Sequence, residues 1–232
     1  MIRLIPVFAF ALFIGVSGIA GPAPAQAPGS TAEQRALLAE AEAALEAINA
    51  DPHIGKNFKT AIARARAVYI VPELIKGGFI FGGEGGTGVL LARLPEGGWS
   101  APAFIVMGGA SIGLQLGGQV SQVAFTIMTD KGLAAILNNK VKLGADLSVA
   151  VGVAGAGTEA ATTTAAGADI FQFAVSKGLF GGGTVEGAVL EPRDAWNAAL
   201  YGGQYKTPRD IVSDRSLNPP EADRLREVLA AE

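Results

Sequence analysis

From residue 31 onward the chain alternates between two hydrophobic periods. Leu37, Leu38, Ala41, Ala44, Leu45 and Ile48 recur at three- and four-residue spacing after the capping-box pattern Ser30-Thr31-Ala32-Glu33. They predict a helix from Thr31 to Ala50 that Asp51-Pro52 ends. Its outer positions are acidic, with Glu33, Glu40, Glu42 and Glu46 against Arg35. A second, shorter helical pattern runs from Ile54 to Ala65. Ile54, Phe58, Ala61, Ile62 and Ala65 share an arc of about 100°, with Lys56, Lys59 and Arg66 opposite and Arg64 flanking them. No acid interrupts residues 53–66, so this segment carries a local charge of +4.

At Ala67 the period shortens. Ala67–Val71, Gly78–Phe81 and Val89–Leu94 are rich in β-branched and aromatic residues and read as strands. Glycine clusters at 82–88, 97–98, 108–109 and 117–118 read as the punctuation between them. The 33 residues between Glu96 and Asp130 carry no charge, but Ser111, Gln115, Gln119, Ser121 and Gln122 interrupt the run, which fits buried antiparallel strands better than a membrane helix. An outer-membrane barrel is disfavoured by the helical segments at both ends and by the lack of aromatic girdles. Asp130–Asn138 reads as a short helix and Val141–Val153 as strand, with Gly155–Gly167 a loop or loose hairpin. Phe171–Ser176 and Thr184–Leu190 form a further strand pair, Arg193–Tyr201 a helix, and Pro219-Pro220 open a last amphipathic helix with Leu225, Val228 and Leu229. The expected fold is α+β: a Gly-rich, curved or barrel-like antiparallel sheet flanked by N- and C-terminal helices.

The first 25 residues have a different character. Arg3, the apolar run Leu4–Val16 and Ala23-Pro24-Ala25 read as a secretory signal with its cleavage site. The run is shorter than the ~20 residues needed to span a bilayer. Residues 26–52 then form an acidic N-terminal helical segment, 53–213 the main domain and 214–232 a C-terminal helix. This reading places the protein outside the cytoplasm, secreted or periplasmic and peripherally membrane-associated. Export argues against ATP- or NAD-dependent chemistry.

Composition removes further classes. Among 232 residues there is no Cys and one His, which excludes thiol nucleophiles, Cys-based zinc sites, iron–sulfur clusters and multi-histidine metal centres. The net charge of −3 argues against a nucleic-acid binder. Glycine, at 32 residues, is about twice its usual frequency of roughly 7%. Hydrophobic residues make up half the chain and charged residues 17%, so the glycine excess points to a β-rich fold rather than disorder.

Short motifs do not carry an enzyme. Gly83-Glu84-Gly85-Gly86-Thr87-Gly88 has dinucleotide-loop spacing, but Val89–Leu94 is closed by Pro95 and reads as strand, so no helix N-terminus faces a pyrophosphate. Gly109-Ala110-Ser111-Ile112-Gly113 matches a nucleophile elbow, yet the only His, His53, lies upstream. Asp146, Glu159 and Asp169 are dispersed, His53 reads as a turn residue, and Trp99 and Trp196 read as packing residues. The expectation is no enzyme, no cofactor and no metal.

The glycine patterns instead carry a resemblance. Residues 77–88 (Gly77-Gly78-Phe79-Ile80-Phe81-Gly82-Gly83-Glu84-Gly85-Gly86-Thr87-Gly88), Trp99-Ser100-Ala101-Pro102-Ala103-Phe104 and Gly113-Leu114-Gln115-Leu116-Gly117-Gly118-Gln119 are its first three stretches. Leu147-Ser148-Val149-Ala150-Val151-Gly152, Ser176-Lys177-Gly178-Leu179-Phe180-Gly181-Gly182 and Tyr201-Gly202 follow in the same order. Together they are similar to the SYLF-domain family, lipid-binding modules of eukaryotic adaptor proteins and secreted bacterial proteins. The resemblance implies membrane-lipid binding, with phosphoinositides as the eukaryotic ligands and actin association in some members. Those eukaryotic members use a basic amphipathic N-terminal segment, whereas the first helix here is acidic and the cations stand in the second.

The resulting expectation is non-enzymatic binding of anionic phospholipid. Lys56, Lys59, Arg64 and Arg66 are the headgroup ligands, with Phe58 and Ile62 reaching the acyl boundary. Lys76 and Arg93 are weaker candidates. The alternative is an envelope structural or protein-interaction module without a lipid ligand, and the two are separated by whether Phe58 and Ile62 lie in the core.

Overall fold

The computed structural model describes residues 31–78, 81–112, 117–138, 141–151, 167–178, 187–205 and 207–231. In chain order the elements are α1 (Thr31–Ala50), α2 (Gly55–Ile62), β1 (Ala67–Gly78), β2 (Phe81–Ala92), β3 (Ala103–Ile112), β4 (Gly117–Ile127) and α3 (Asp130–Asn138). They continue with β5 (Val141–Lys142), β6 (Val149–Val151), β7 (Ile170–Gly178), β8 (Val189–Pro192), α4 (Asp194–Tyr201), α5 (Pro208–Ser213), a 3-10 turn (Pro220–Ala222) and α6 (Asp223–Ala230). The strands make one eight-stranded sheet in the order β5-β8-β3-β2-β1-β4-β7-β6, curled into a half-barrel and flanked by helices at both ends of the chain. Neighbours are antiparallel except β6 and β7, which run parallel.

Side-chain alternation splits the apolar residues between the two faces of this sheet. Tyr69, Val71, Leu74, Leu90, Ile105, Met107, Val123 and Phe125 fill the concave face with Ile136, Ile211 and Val212 from α3 and α5. Val68, Ile70, Val89, Leu91, Phe104, Ala124 and Phe173 form the convex face, covered by Leu38, Leu45 and Ile48 of α1, Phe58 and Ile62 of α2, and Leu225 and Leu229 of α6. Each such fully buried aliphatic or aromatic side chain contributes about 1.5–3 kcal/mol relative to exposure.

Of the glycine clusters expected as punctuation, 97–98 is a turn with positive φ, whereas 82–88 and 108–109 lie inside long strands and 117–118 opens β4. The strand expected at 67–71 extends to Gly78, and 82–88 belongs to β2 with a continuous register against β3 from Phe81↔Ile112 to Leu90↔Ala103. Gly88 shows why the residue is needed. A Cβ there would stand 2.3 Å from the Ile70 carbonyl oxygen and 2.7 Å from Cε2 of Tyr69, whose ring stacks on Phe125 and whose hydroxyl donates to the Ile105 carbonyl at 3.1 Å. The first four residues of the Gly-x-Ser-x-Gly motif, 109–112, also fall in strand, with Ser111 registered opposite Gly82. The strand expected over 141–153 is broken into β5 and β6 by a turn in which Gly144 takes φ 83°. The expected loop at 155–167 lies outside the described residues except Gly167. One helix was not expected: α5, which Thr207 opens by accepting from the Asp210 amide in a capping box with Pro208 in the first turn.

Asp169 pins the small strands to the main sheet. Its carboxylate accepts from the Thr129 hydroxyl at 2.7 Å, the Ser148 hydroxyl at 3.0 Å, the Ser148 amide at 3.2 Å and the Lys131 ammonium at 3.3 Å. Burial pushes its pKa up, but these donors outweigh burial and hold it below the ordinary carboxylate value.

Two outcomes follow. Gly88→Ala should cost about 1–3 kcal/mol by overpacking and lower the thermal midpoint by several degrees in a calorimetric scan. Because the folded pKa of Asp169 is depressed, its stabilisation is present above the unfolded value of about 3.9 and is lost as pH falls through the folded value. Asp169→Asn should therefore destabilise the domain by about 1–3 kcal/mol at pH 7 and flatten the acid limb of a denaturation-versus-pH series. An unchanged acid limb would refute the assignment.

Candidate functional site

The basic segment starts at a turn that Asp51 builds. Its carboxylate accepts from the amides of His53 at 2.8 Å and Ile54 at 3.1 Å, so His53 is a turn residue, as expected, and the chain is aimed into α2. Gly55 allows the two helices to approach, since a Cβ there would stand 2.3 Å from the Asn49 carbonyl oxygen.

α2 ends at Ile62, earlier than the periodicity predicts, so the four cations divide into two pairs. Lys56 and Lys59 lie on the outward side of the helix, and Arg64 and Arg66 lie in the turn that leads into β1; all four are exposed. Arg66 forms an ion pair with Asp130 at 3.1 Å while its side chain remains 57% exposed.

The apolar side of α2 corrects the expectation of membrane contact. Phe58 and Ile62 are fully buried in the convex core, and the Phe58 ring meets Phe173 edge-on at 5.2 Å between centroids. A helix seated this way keeps Phe58 and Ile62 out of reach of an acyl layer. Lys76 and Arg93 also have internal roles. Arg93 donates from Nη2 to the Ile62 carbonyl at 2.7 Å and from Nε to the Ala65 carbonyl at 3.1 Å, while its guanidinium stacks 4.4 Å above the buried Trp99 ring. It thus ties the last residue of α2 and the turn after it to β2, where a cation also complements the helix dipole. Lys76 pairs with Glu84 at 2.7 Å on the concave face, with side-chain exposures of 16% and 14%.

Sequence reasoning missed the polar cluster beside that pair. Cross-strand register puts Lys76 opposite Glu84 and Gln119, and Ser121 opposite Ser176. The Gln119 amide nitrogen lies 2.7 Å from the Ser121 hydroxyl and 2.5 Å from that of Ser176, with its carbonyl oxygen buried and unpartnered. Only the alternation of β4, with Gln119 and Ser121 two residues apart, signals this in sequence. Trp99 and Trp196 are packing residues, the latter stacked under Arg193 at 3.7 Å and edge-on to Phe104 at 5.6 Å. Among the described residues no group of three His, Asp or Glu side chains is placed to hold a metal ion, and no helix is long and apolar enough to cross a membrane.

Comparison with known proteins agrees with the glycine patterns. Residues 108–232, more than half the chain, match the Ysc84 family, described as Las17-binding protein actin regulator. LAS seventeen-binding protein 3 of Saccharomyces cerevisiae is 35% identical over 216 residues, 91% of this chain and 46% of that protein. Protein YSC84 of the same yeast is 37% identical over 172 residues, 72% of this chain and 36% of that protein. SH3 domain-containing YSC84-like protein 1 of Homo sapiens is 34% identical over 169 residues, 72% of this chain and 49% of that protein. The chain thus spans half or less of the length of these relatives. With matches of this extent and the same ordered glycine patterns, the chain belongs to the Ysc84 (SYLF) domain family.

Proposed function

We propose that this domain is a non-enzymatic binding module that adheres to anionic phospholipid surfaces through Lys56, Lys59, Arg64 and Arg66. The observation that carries the reading is four exposed cations within residues 53–66, without an intervening acid, on a chain of net charge −3. Each Lys or Arg near an anionic membrane contributes about 1 kcal/mol, so the segment supplies up to about 4 kcal/mol, less whatever Lys59 and Arg66 spend on partners within the molecule.

Burial of Phe58 and Ile62 sets the mode. Insertion of α2 would expose the convex core and break the Arg93 bonds to its last carbonyls, so attraction here is electrostatic and reversible. It is screened over a Debye length of about 10 Å at 0.1 M salt. With the leader read from residues 1–25, the membrane met is one facing an exported protein.

A second reading has its own support. One relative is named as a LAS seventeen-binding protein, and a protein partner with an acidic surface would meet the same cations.

Sedimentation of the protein with vesicles of phosphatidylserine and phosphatidylcholine, against phosphatidylcholine alone, tests the lipid reading. Binding should require the anionic lipid, fall steeply between 0.05 and 0.3 M salt (values on the order of the screening range) and weaken at least about tenfold in Lys56→Glu/Lys59→Glu, a loss of about 1.4 kcal/mol or more. Binding that ignores lipid charge, or survives the double reversal, sinks it. Absence of vesicle binding leaves the acidic protein partner as the reading.

A further inference from the structure

Beyond the bulge in β1 the helix layer ends, but the sheet continues. On the convex face of this extension Ile75 stands opposite Val120 of β4 and Gly85 of β2, and Gly85 opposite Gly108 of β3. The next rung is Ala110, Gly83, Gly77 and Gly118. Ile75 is 54% exposed and Val120 43%, although they are cross-strand neighbours of the kind that the helices cover elsewhere on this face. The apolar strip runs into a groove of about 260 Å³ at the margin of α1, lined by Glu40, Ala43, Pro72, Glu73, Val120 and Val175 among others.

Among the described residues the groove's charge is uncompensated. Glu40 and Glu73 are exposed and have no ion-pair partner among the described residues, whereas Glu42 and Glu46 of the same helix are held by Arg224 at 3.0 and 3.6 Å. The glycines of the strip add a second point. A Cβ at Gly83, Gly85, Gly108 or Gly118 would meet only backbone at 3.6–4.0 Å, an ordinary contact, so internal packing does not demand glycine there as it does at Gly86 and Gly88. Glycine within a strand weakens it unless another surface approaches closely.

We infer that this convex extension docks a helical segment of a protein partner, laid beside α1 with an aliphatic face on Ile75 and Val120 and Lys or Arg side chains toward Glu40 and Glu73. A helix is the element that covers a sheet face elsewhere in this fold, and helix-in-groove recognition uses aliphatic anchors at three- and four-residue spacing. Charge complementarity selects a basic partner. This site is separate from the α2 cations and does not depend on their role.

A fluorescein-labelled helical peptide of Leu and Lys at that spacing, with a Leu and Glu counterpart, tests the inference by anisotropy. The Lys peptide should bind, the Glu peptide should not, and binding should weaken at least about tenfold in Glu40→Lys/Glu73→Lys and in Ile75→Asp/Val120→Asp. Lys56→Glu/Lys59→Glu should bind the peptide as the unaltered protein does. Gly83→Ala/Gly118→Ala should keep or raise the thermal midpoint while weakening the peptide, which a folding defect cannot mimic. Equal binding of both peptides, or undiminished binding by the variants, overturns the inference. So does a dimer on light scattering that Ile75→Asp/Val120→Asp dissociates, which assigns the face to a second copy. Loss of vesicle binding in that variant assigns it to a membrane and overturns it equally.

Discussion

The structure depends on one irregularity, the bulge at Pro72-Glu73 in β1. This strand is central and pairs with β2 and β4 along its length, a position where proline removes a ladder donor. The register shows how that is accommodated. Between Ile70 and Ile75 β1 advances five residues while β2 advances four, from Val89 to Gly85, and a matching shift lies between Val71 and Leu74 on the β4 side. The extra residue keeps Leu74 on the concave face with Val71 and turns Glu73 outward. Gly86 lies against the bulge, where a Cβ would come within 2.6 Å of both the Glu73 carbonyl oxygen and Cγ1 of Val71. The bulge thus separates a doubly covered half of the sheet from an extension that is bare on its convex face.

The covered half decides how α2 is used. Its buried side gives the convex core two of its large residues, and Arg93 holds its last carbonyls from across the sheet. A cation that composition counts as surface charge is therefore part of the packing. The same holds for Lys76, which with Glu84 and Gln119 supplies the polar end of an otherwise apolar concave face. What is left for an external partner is the outward side of α2 and the turn after it, charged and without an apolar neighbour to insert.

Much of this architecture was legible in the chain. α1 announced itself by a capping box and an unbroken apolar stripe, and α3 and α4 by short helical periods. The ordered glycine patterns carried the family because they mark places where backbones meet. Their structural sense was misread locally: glycine runs look like turns to any rule that sees neighbours in sequence, whereas Gly86 and Gly88 are set by Glu73, Val71, Tyr69 and Ile70 on the adjacent strand. The amphipathic period of α2 likewise fixed a helix and its two sides but not whether core or lipid meets the apolar one. The roles of Arg93 and Lys76 were beyond reach for the same reason, because their partners are cross-strand. Thr207-Pro208 before Asp210 was a readable start signal for α5 that six residues of helix made easy to pass over.

The distribution of charge follows from the same geometry. Arg224 gathers Glu42 and Glu46, Arg66 takes Asp130, and Lys76 takes Glu84, so much of the modest charge is matched within the molecule. Lys56 stands apart on α2 and Arg64 in the turn that leads into β1, and Glu40 and Glu73 stand apart beside the bulge. A strand rises about 3.3 Å per residue, so the seven residues from Arg66 to Glu73 separate the two surfaces by roughly 23 Å. Opposite charge at that separation cannot be met by one compact ligand. The domain thus holds a cationic surface on α2 and the turn after it apart from an anionic one beside the bulge.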